Sequence, residues 1–463
     1  MALLSCRHPD GPTPPPRPTP SGTTTPAPTT APHPKCHVDE SELPPIAPTG
    51  DLEPSAQVFG LPYMRLDHAW IAFADGVDPS VLLLTGEYDV RDINRLDLPP
   101  TLVVPGKLEP GRHCVLDLWD GVSSIDEGVL RDAAPAGDSD GDGHGDLWVG
   151  EELFRGPFLG RALHSHDPGN AWIKSKEASD GIAVVAGFDA DGDGNEDALF
   201  QASCCQLAYL RYGPFDGEIA SAALGAADPA TYTTFQGTCF DAVGTEFLPD
   251  QLGAGHHAVA LGFDYGGWCT WDTYVWDLMQ PPGLRLTDGD AFARSWMTGN
   301  GAYVRDAGDQ DGDGRPDVIY GDEFGSQIVK GPLEGDLDVY YSGPVALPRG
   351  PYSRFASAGD VNGDGTLDFL AEDNPAFAWV LLLSPHGDPG QLGLVLGTTS
   401  DLPHMLGSKH ADLDRDGLED LIESEGHGTW GVTPDDLFEA GEINVWYGAD
   451  LVAAWNAKRA GAR

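Results

Sequence analysis

Apolar residues arrive in short runs that follow directly on acidic, glycine-bearing stretches. Leu147-Trp148-Val149, Ala198-Leu199-Phe200, Val318-Ile319-Tyr320, Phe369-Leu370-Ala371 and Leu421-Ile422 all have this placement. Further along, a second apolar run ends in a turn, as in Leu153-Phe-Arg-Gly156-Pro157-Phe158, Leu210-Arg-Tyr-Gly213-Pro214-Phe215 and Ile328-Val-Lys-Gly331-Pro332-Leu333. Val445-Trp-Tyr-Gly448 closes the series and Val103-Val-Pro-Gly106 opens it. Strand, acidic loop, strand, turn, strand is the content of a small antiparallel sheet. No stretch sustains a 3.6-residue period, so helix is a minor component. The longest apolar runs, such as Val81–Leu84 and Ala378–Leu383, fall far short of the roughly 18 residues a membrane helix needs.

The acidic stretches are copies of one loop. They read Asp138-Ser-Asp140-Gly-Asp142-Gly143-His-Gly-Asp146, Asp189-Ala-Asp191-Gly-Asp193-Gly194-Asn-Glu-Asp197 and Asp309-Gln-Asp311-Gly-Asp313-Gly314-Arg-Pro-Asp317. Two more are Asp360-Val-Asn362-Gly-Asp364-Gly365-Thr-Leu-Asp368 and Asp412-Leu-Asp414-Arg-Asp416-Gly417-Leu-Glu-Asp420. A decayed copy begins at Asp250 and runs through His256-His257 to Ala258. First positions 138, 189, 250, 309, 360 and 412 are spaced 51, 61, 59, 51 and 52. Repeats of that size build arrays or propellers. The expected fold is all-β, a seven-bladed β-propeller of four-stranded antiparallel blades. Six blades follow from the loops. A seventh is expected over Val58–Gly111, with a degenerate loop near Asp75–Asp78, and six or eight blades are the neighbouring counts. The 414 residues of 50–463 divided by seven give about 59 each, matching the spacing.

Ligand chemistry follows from the loop positions. Oxygens at positions 1, 3, 5 and 9, a carbonyl near 7 and a turn-permitting Gly at 6 suit a hard cation with six to eight oxygen ligands. The positions carry no His or Cys, which argues against zinc and copper. Magnesium prefers to keep its waters, so calcium is expected, at about five structural sites. Asp412 to Glu423 also fits an EF-hand spacing, but Val149, Phe200, Tyr320 and Ala371 stand at position 12 elsewhere, so the shorter loop is the general solution.

These loops, their period and the Ala358-Gly359-Asp360 lead-in resemble FG-GAP (VCBS-type) repeats over roughly residues 56–450. Phe59-Gly60 is one candidate for the Phe-Gly signature. The resemblance implies the propeller of integrin α subunits and of many bacterial exported proteins. It also implies structural calcium between strands on one rim, held here by the Asp residues named above and Asn362.

Charge narrows the partners. The chain has 26 Lys+Arg against 73 Asp+Glu, a formal −47. Nucleic acid and anionic membrane surfaces are therefore excluded as default partners. Five divalent ions would bring −47 to −37, and the remainder is solvated surface.

The first 49 residues read as a separate segment. Residues 9–34 hold 11 Pro and 7 Thr, the composition of a disordered, extended tether. Leu3-Leu4-Ser5-Cys6 resembles a bacterial lipobox without its basic and apolar lead, so a lipid anchor at Cys6 competes with a ragged start. The even set Cys36, Cys114, Cys204, Cys205, Cys239 and Cys269 points to disulfides in an exported protein, free buried thiols being the alternative. Six cysteines allow 15 pairings and none is preferred.

Catalytic motifs give little. No nucleophile elbow, His-Glu-x-x-His, phosphate loop or dinucleotide fingerprint is present. His164-Ser-His166-Asp167 and His256-His257 read as loop residues. Trp268, Trp271, Trp276 and Trp296 read as core between blades, with a sugar-binding surface as the alternative. The expected function is an exported or surface-tethered, monomeric, calcium-binding module for protein or glycan, at a bacterial cell surface, in the periplasm or outside the cell. The alternatives are a polysaccharide-active or phospholipase-like enzyme on the same scaffold, and a purely structural surface protein.

Overall fold

The computed structural model describes residues 52, 54–59, 64–71, 81–88, 101–118, 122–125, 133–158, 162–164, 167, 169–174, 182–201, 207–220, 227–236, 241–251, 253, 256–264, 271–297, 303–322, 325–337, 352–373, 378–383, 393–398, 412–431 and 437–461. The Pro/Thr-rich segment, Cys6, Cys36, Cys204, Cys205, Cys239 and Cys269 lie outside them, as does the stretch Asp75–Asp78. Cys114 is buried and disulfide-bonded.

The chain opens with β1 (Ala56–Phe59), β2 (Met64–Ile71), β3 (Val81–Tyr88), β4 (Thr101–Pro105), β5 (Gly111–Cys114), α1 (Val115–Leu118) and β6 (Ser123–Ile125). Next come β7 (Ala133–Gly137), β8 (Asp146–Val149), β9 (Glu152–Phe154), β10 (Ala162–Leu163) and β11 (Ala171–Lys174). They are followed by β12 (Ile182–Phe188), β13 (Asp197–Gln201), β14 (Leu207–Arg211), β15 (Gly217–Ala220) and β16 (Tyr232–Gln236). Then come β17 (Asp241–Leu248), β18 (Ala258–Asp264), β19 (Trp271–Asp277), β20 (Arg285–Thr287) and β21 (Ala293–Met297). The next strands are β22 (Tyr303–Gly308), β23 (Asp317–Asp322), β24 (Gly325–Val329), β25 (Gly335–Leu337), β26 (Tyr352–Gly359), β27 (Asp368–Asp373), β28 (Ala378–Leu382) and β29 (Leu394–Thr398). The chain ends with β30 (Leu421–Gly431), β31 (Leu437–Trp446) and α2 (Gly448–Gly461).

These strands make a β-propeller of small sheets with three to five strands each. The blade count corrects the expectation of seven. Six blades are each built on one stretch of chain, beginning with β2-β3-β4-β6 and ending with β26-β27-β28-β29. A further sheet is composite and closes the ring: C-terminal β30 and β31 are continued by N-terminal β1 and then β5. The stretch expected to form a seventh blade thus gives both its ends, Ala56–Phe59 and Gly111–Cys114, to the closure. At that seam Gln57 Nε2 donates to Asn444 Oδ1 at 2.8 Å, and Arg112 Nε donates to Gln57 Oε1 at 2.7 Å.

Four antiparallel strands per blade is also corrected. Five sheets gain a parallel outermost strand from the next blade: β5 beside β1, β10 beside β6, β15 beside β11, β20 beside β16 and β25 beside β21. After its third strand the chain swings outward and pairs with the preceding blade, and after β5, β10, β15 and β20 it returns as its own fourth strand, β6, β11, β16 and β21. The pairing covers an edge that would otherwise expose unpaired backbone groups. At β26-β27-β28-β29 the arrangement differs. There α2 follows the last turn and packs Leu451, Ala454 and Trp455 on the cluster containing Leu381, Leu394 and Leu396, while Lys458 Nζ donates to the Gly393 carbonyl at 2.7 Å.

Second strands carry an unbroken apolar run, as in Leu147–Val149, Ala198–Phe200 and Val318–Tyr320, because both their faces are buried there. Successive side chains alternate between the two neighbouring seams. On β8, Leu147 and Val149 enter one inter-blade cluster and Trp148 the next. On β23, Val318 and Tyr320 enter one cluster and Ile319 another. Trp148 stands edge-on to Phe200 at 5.0 Å and to Phe215 at 5.3 Å. Trp276 is buried beside Phe235 and Tyr274, a core residue between blades. Trp268 lies outside the described residues, while Trp271 and Trp296 lie on β19 and β21.

Candidate metal centres

Four of the five acidic loops join the first and second strands of a blade, between β7 and β8, β12 and β13, β22 and β23, and β26 and β27; the fifth leads into β30. All five fold alike because their carboxylates organise their own backbone. The position-1 Oδ2 accepts the N–H of the glycine at position 6, at 2.9 Å for Asp138, 2.8 Å for Asp189, 2.7 Å for Asp309, and 2.8 Å for both Asp360 and Asp412. Position 3 accepts from the N–H of position 5, and position 5 from that of position 7. Position 4 is left-handed as well as position 6. Gly141, Gly192, Gly312 and Gly363 have φ of 70–77°, and Arg415 takes φ 61° in the fifth loop.

Position 9 has a second role that the loop pattern does not reveal. Asp146, Asp197, Asp317, Asp368 and Asp420 are all at most 4% exposed. In four of them one oxygen takes the N–H of position 2 and the other takes the N–H of the glycine two residues past the third strand. The pairs are Ser139 (3.0 Å) and Gly156 (2.9 Å), Ala190 (2.7 Å) and Gly213 (2.9 Å), Gln310 (2.9 Å) and Gly331 (2.9 Å), and Leu413 (2.6 Å) and Gly448 (2.8 Å). Each carboxylate thus bolts its loop to the third strand. Those glycines are needed for close approach: a Cβ on Gly156 or Gly448 would meet the position-8 carbonyl of Gly145 or Glu419 at 2.5 or 2.7 Å. Asp368 accepts the Asn362 N–H at 3.3 Å and its Nδ2 at 3.1 Å.

Several of these clusters can hold a metal ion. Asp189, Asp191 and Asp197 bring one oxygen each within 4.8 Å of the others, as do Asp309, Asp311 and Asp317, and Asp412, Asp414 and Asp420. In the first loop the converging set is Asp138, Asp140 and Asp142, without Asp146. Burial pushes the Asp197 carboxyl up to about 6 and Asp420 up to about 7, with neighbouring loop carboxylates adding to both shifts. Burial also raises Asp146 and Asp317. Anionic oxygens crowded in this way repel one another unless a proton or a cation intervenes.

Neighbouring loops interlock through position 8. Glu419 Oε2 accepts the Asp360 N–H at 2.9 Å. Glu196 likewise accepts the Asp138 N–H. Gln251 Nε2 donates to the Pro316 carbonyl and Gln310 Nε2 to the Leu367 carbonyl, both at 3.2 Å. Burial raises Glu196 and Glu419 each to about 7.

Sequence reasoning missed three basic side chains at the loops. Arg155 Nη1 donates to Asp146 Oδ2 at 2.6 Å. Lys330 pairs with Asp311. Lys107 Nζ lies 2.5 Å from Asp414 Oδ2 and over the Tyr447 ring. The signal was present, since Arg155 and Lys330 immediately precede the Gly-Pro turns.

Among the described residues the remaining candidates form no second cluster. His164 and Asp167 close a turn on each other's backbone; His166 lies outside the described residues. In the decayed loop, His257 Nδ1 accepts the Asp250 N–H at 3.4 Å and its ring lies 4.9 Å from Phe247. His256 Nδ1 is 3.7 Å from Asp277 Oδ2.

No family model matches the chain, and no curated protein does. Among solved structures, one similar chain is from the crystal structure of BBS1N in complex with ARL6DN. It is 10% identical at TM-score 0.32, over 76% of this chain and 95% of that one. Another is from the Photorhabdus luminescens Tc holotoxin pore, 12% identical at TM-score 0.26, over 83% of this chain and 14% of that one.

Proposed function

We propose that the protein is an exported, calcium-stabilised propeller of the FG-GAP kind that serves as an interaction module for a protein or glycan. The observation that carries the calcium reading is the convergence of carboxylates at positions 1, 3 and 9, within 4.8 Å, in three loops. The donor set fits a hard cation: every side-chain ligand is an oxygen, and the buried position-9 carboxylate is fixed by backbone N–H groups rather than by solvent. Asp189, Asp191, Asp193 and Asp197 and their counterparts would hold the ion, and the ion would neutralise carboxylates that otherwise repel.

Among the described residues no helix is long and apolar enough to cross a membrane. The bound Cys114 fits an oxidising compartment. Attachment at Cys6, a bacterial surface location and a monomeric state belong to the same proposal. The test is a glycan and protein-ligand array on purified full chain with calcium, run beside hydrolase and lyase assays. Saturable binding without turnover supports the module. Turnover of a polysaccharide or phospholipid contradicts it.

A further inference from the structure

We infer that the first loop carries its own cation, Arg155, and holds no calcium, so that the residue preceding the third-strand glycine decides which loops load. The inference rests on the calcium reading of the other loops. Arg155 is the residue at that place in the first loop; Tyr212, Lys330 and Tyr447 occupy it beside the second, third and fifth.

The Arg155 side chain is only 11% exposed and sits among polar groups of this loop and its neighbour. Nη1 donates to Asp146 Oδ2 at 2.6 Å and also reaches the Ser139 hydroxyl. Nη2 donates to the Phe215 carbonyl at 2.7 Å and Nε to the Gly169 carbonyl at 3.2 Å. Nε also lies 3.8 Å from Asp140 Oδ2. A guanidinium held from several sides is a fixed positive charge rather than a wandering side chain.

Its effect falls on position 9. Asp146 Oδ2 accepts from the Ser139 N–H, the Ser139 hydroxyl at 2.6 Å and Arg155, while Oδ1 takes the Gly156 N–H. A carboxylate oxygen has two lone pairs, so Oδ2 has none left for a metal. Asp197, Asp317 and Asp420 accept one N–H on that oxygen. Position 2 is a hydroxyl only in this loop; Ala190, Gln310, Val361 and Leu413 stand there in the others.

The rest of the first loop is altered accordingly. Asp146 drops out of the converging set, and exposed Asp142 takes its place beside Asp138 and Asp140. In the other four loops the position-1 Oδ1 accepts the N–H of position 5, but Asp138 Oδ1 is buried without a hydrogen-bond partner. The hydrogen bond that draws positions 1 and 5 together is therefore open here. An ion entering this loop would lose Oδ2 of its position-9 carboxylate and sit against a guanidinium of like charge.

Lys330 differs from Arg155 in kind. Its side chain is 55% exposed and meets the position-3 carboxylate, leaving Asp317 to converge with Asp309 and Asp311. A flexible ammonium of that sort can leave when calcium arrives.

The test is native mass spectrometry of the full chain in calcium, comparing matched position-3 variants. Asp140→Ala is expected to leave the number of bound ions unchanged, and Asp191→Ala to lower it by one. Arg155→Met, if its circular dichroism matches wild type, is expected to gain one ion. A loss of one ion in Asp140→Ala, equal to that in Asp191→Ala, overturns the inference while the calcium reading stands. So does a folded Arg155→Met that gains none. A wild-type chain holding no calcium overturns the calcium reading itself and this inference with it.

Discussion

Glu419 crosses a blade seam so that its Oε2 accepts the Asp360 backbone N–H, and it fills the space that a side chain on Gly359 would take. Gly359 has φ 81°, a left-handed backbone that only glycine adopts at little cost. Gly359→Ala therefore meets two penalties, backbone strain and collision with the carboxylate, and is expected to lose roughly 2–3 kcal/mol. Chemical denaturation of both proteins measures it. Equal midpoints would show that the seam yields without cost.

Arg415 is the converse case. It occupies a left-handed position where the other four loops have glycine. Arg415→Gly is expected to gain about 1 kcal/mol by relieving that strain. A lower denaturation midpoint in the variant would contradict the assignment.

Position 9 and the decayed loop should respond differently to truncation. Asp317 holds two backbone N–H groups, of Gln310 and Gly331, so Asp317→Ala leaves both without acceptors and is expected to cost roughly 2–4 kcal/mol. Asp250→Ala falls in a loop whose later carboxylates are missing and is expected to change stability by less than about 1 kcal/mol. Comparable losses would mean that the decayed loop is still a working one.

These contrasts mark how far the sequence could be read. The repeat, the all-β class and the acidic loops were legible because Asp and Gly recur at fixed offsets, where local geometry dictates residue type. Blade composition was not. The closure pairs Ala56–Phe59 with Glu442–Val445, and nothing local in either run encodes that contact. The outward strands were missed because Ala162–Leu163 and Arg285–Thr287 are too short to show a period. Position 9 was read as a ligand, while its bond to the third-strand glycine depends on folding that brings Asp146 and Gly156 together.

The pH dependence of the ion-free chain should run opposite to ordinary acid denaturation. Burial raises Glu196, Glu419 and Asp420 to about 7, and Asp197 and Asp306 to about 6. A carboxyl with a raised folded-state pKa contributes stability that is full below its unfolded pKa and is lost as pH rises through the folded value. In chelator, the melting temperature is expected to fall by a few degrees between pH 5 and pH 8. Calcium should flatten that slope, because the ion replaces the protons. A chelated chain that melts higher at pH 8 than at pH 5 contradicts the burial assigned to these groups.

Thermal melting of the full chain in calcium and in chelator, at one neutral pH, probes the acidic loops as a set. Ions bound only to the folded state raise its stability by mass action. The melting temperature is expected to be clearly higher in calcium and to rise further with its concentration. Superimposable curves would contradict structural calcium in these loops.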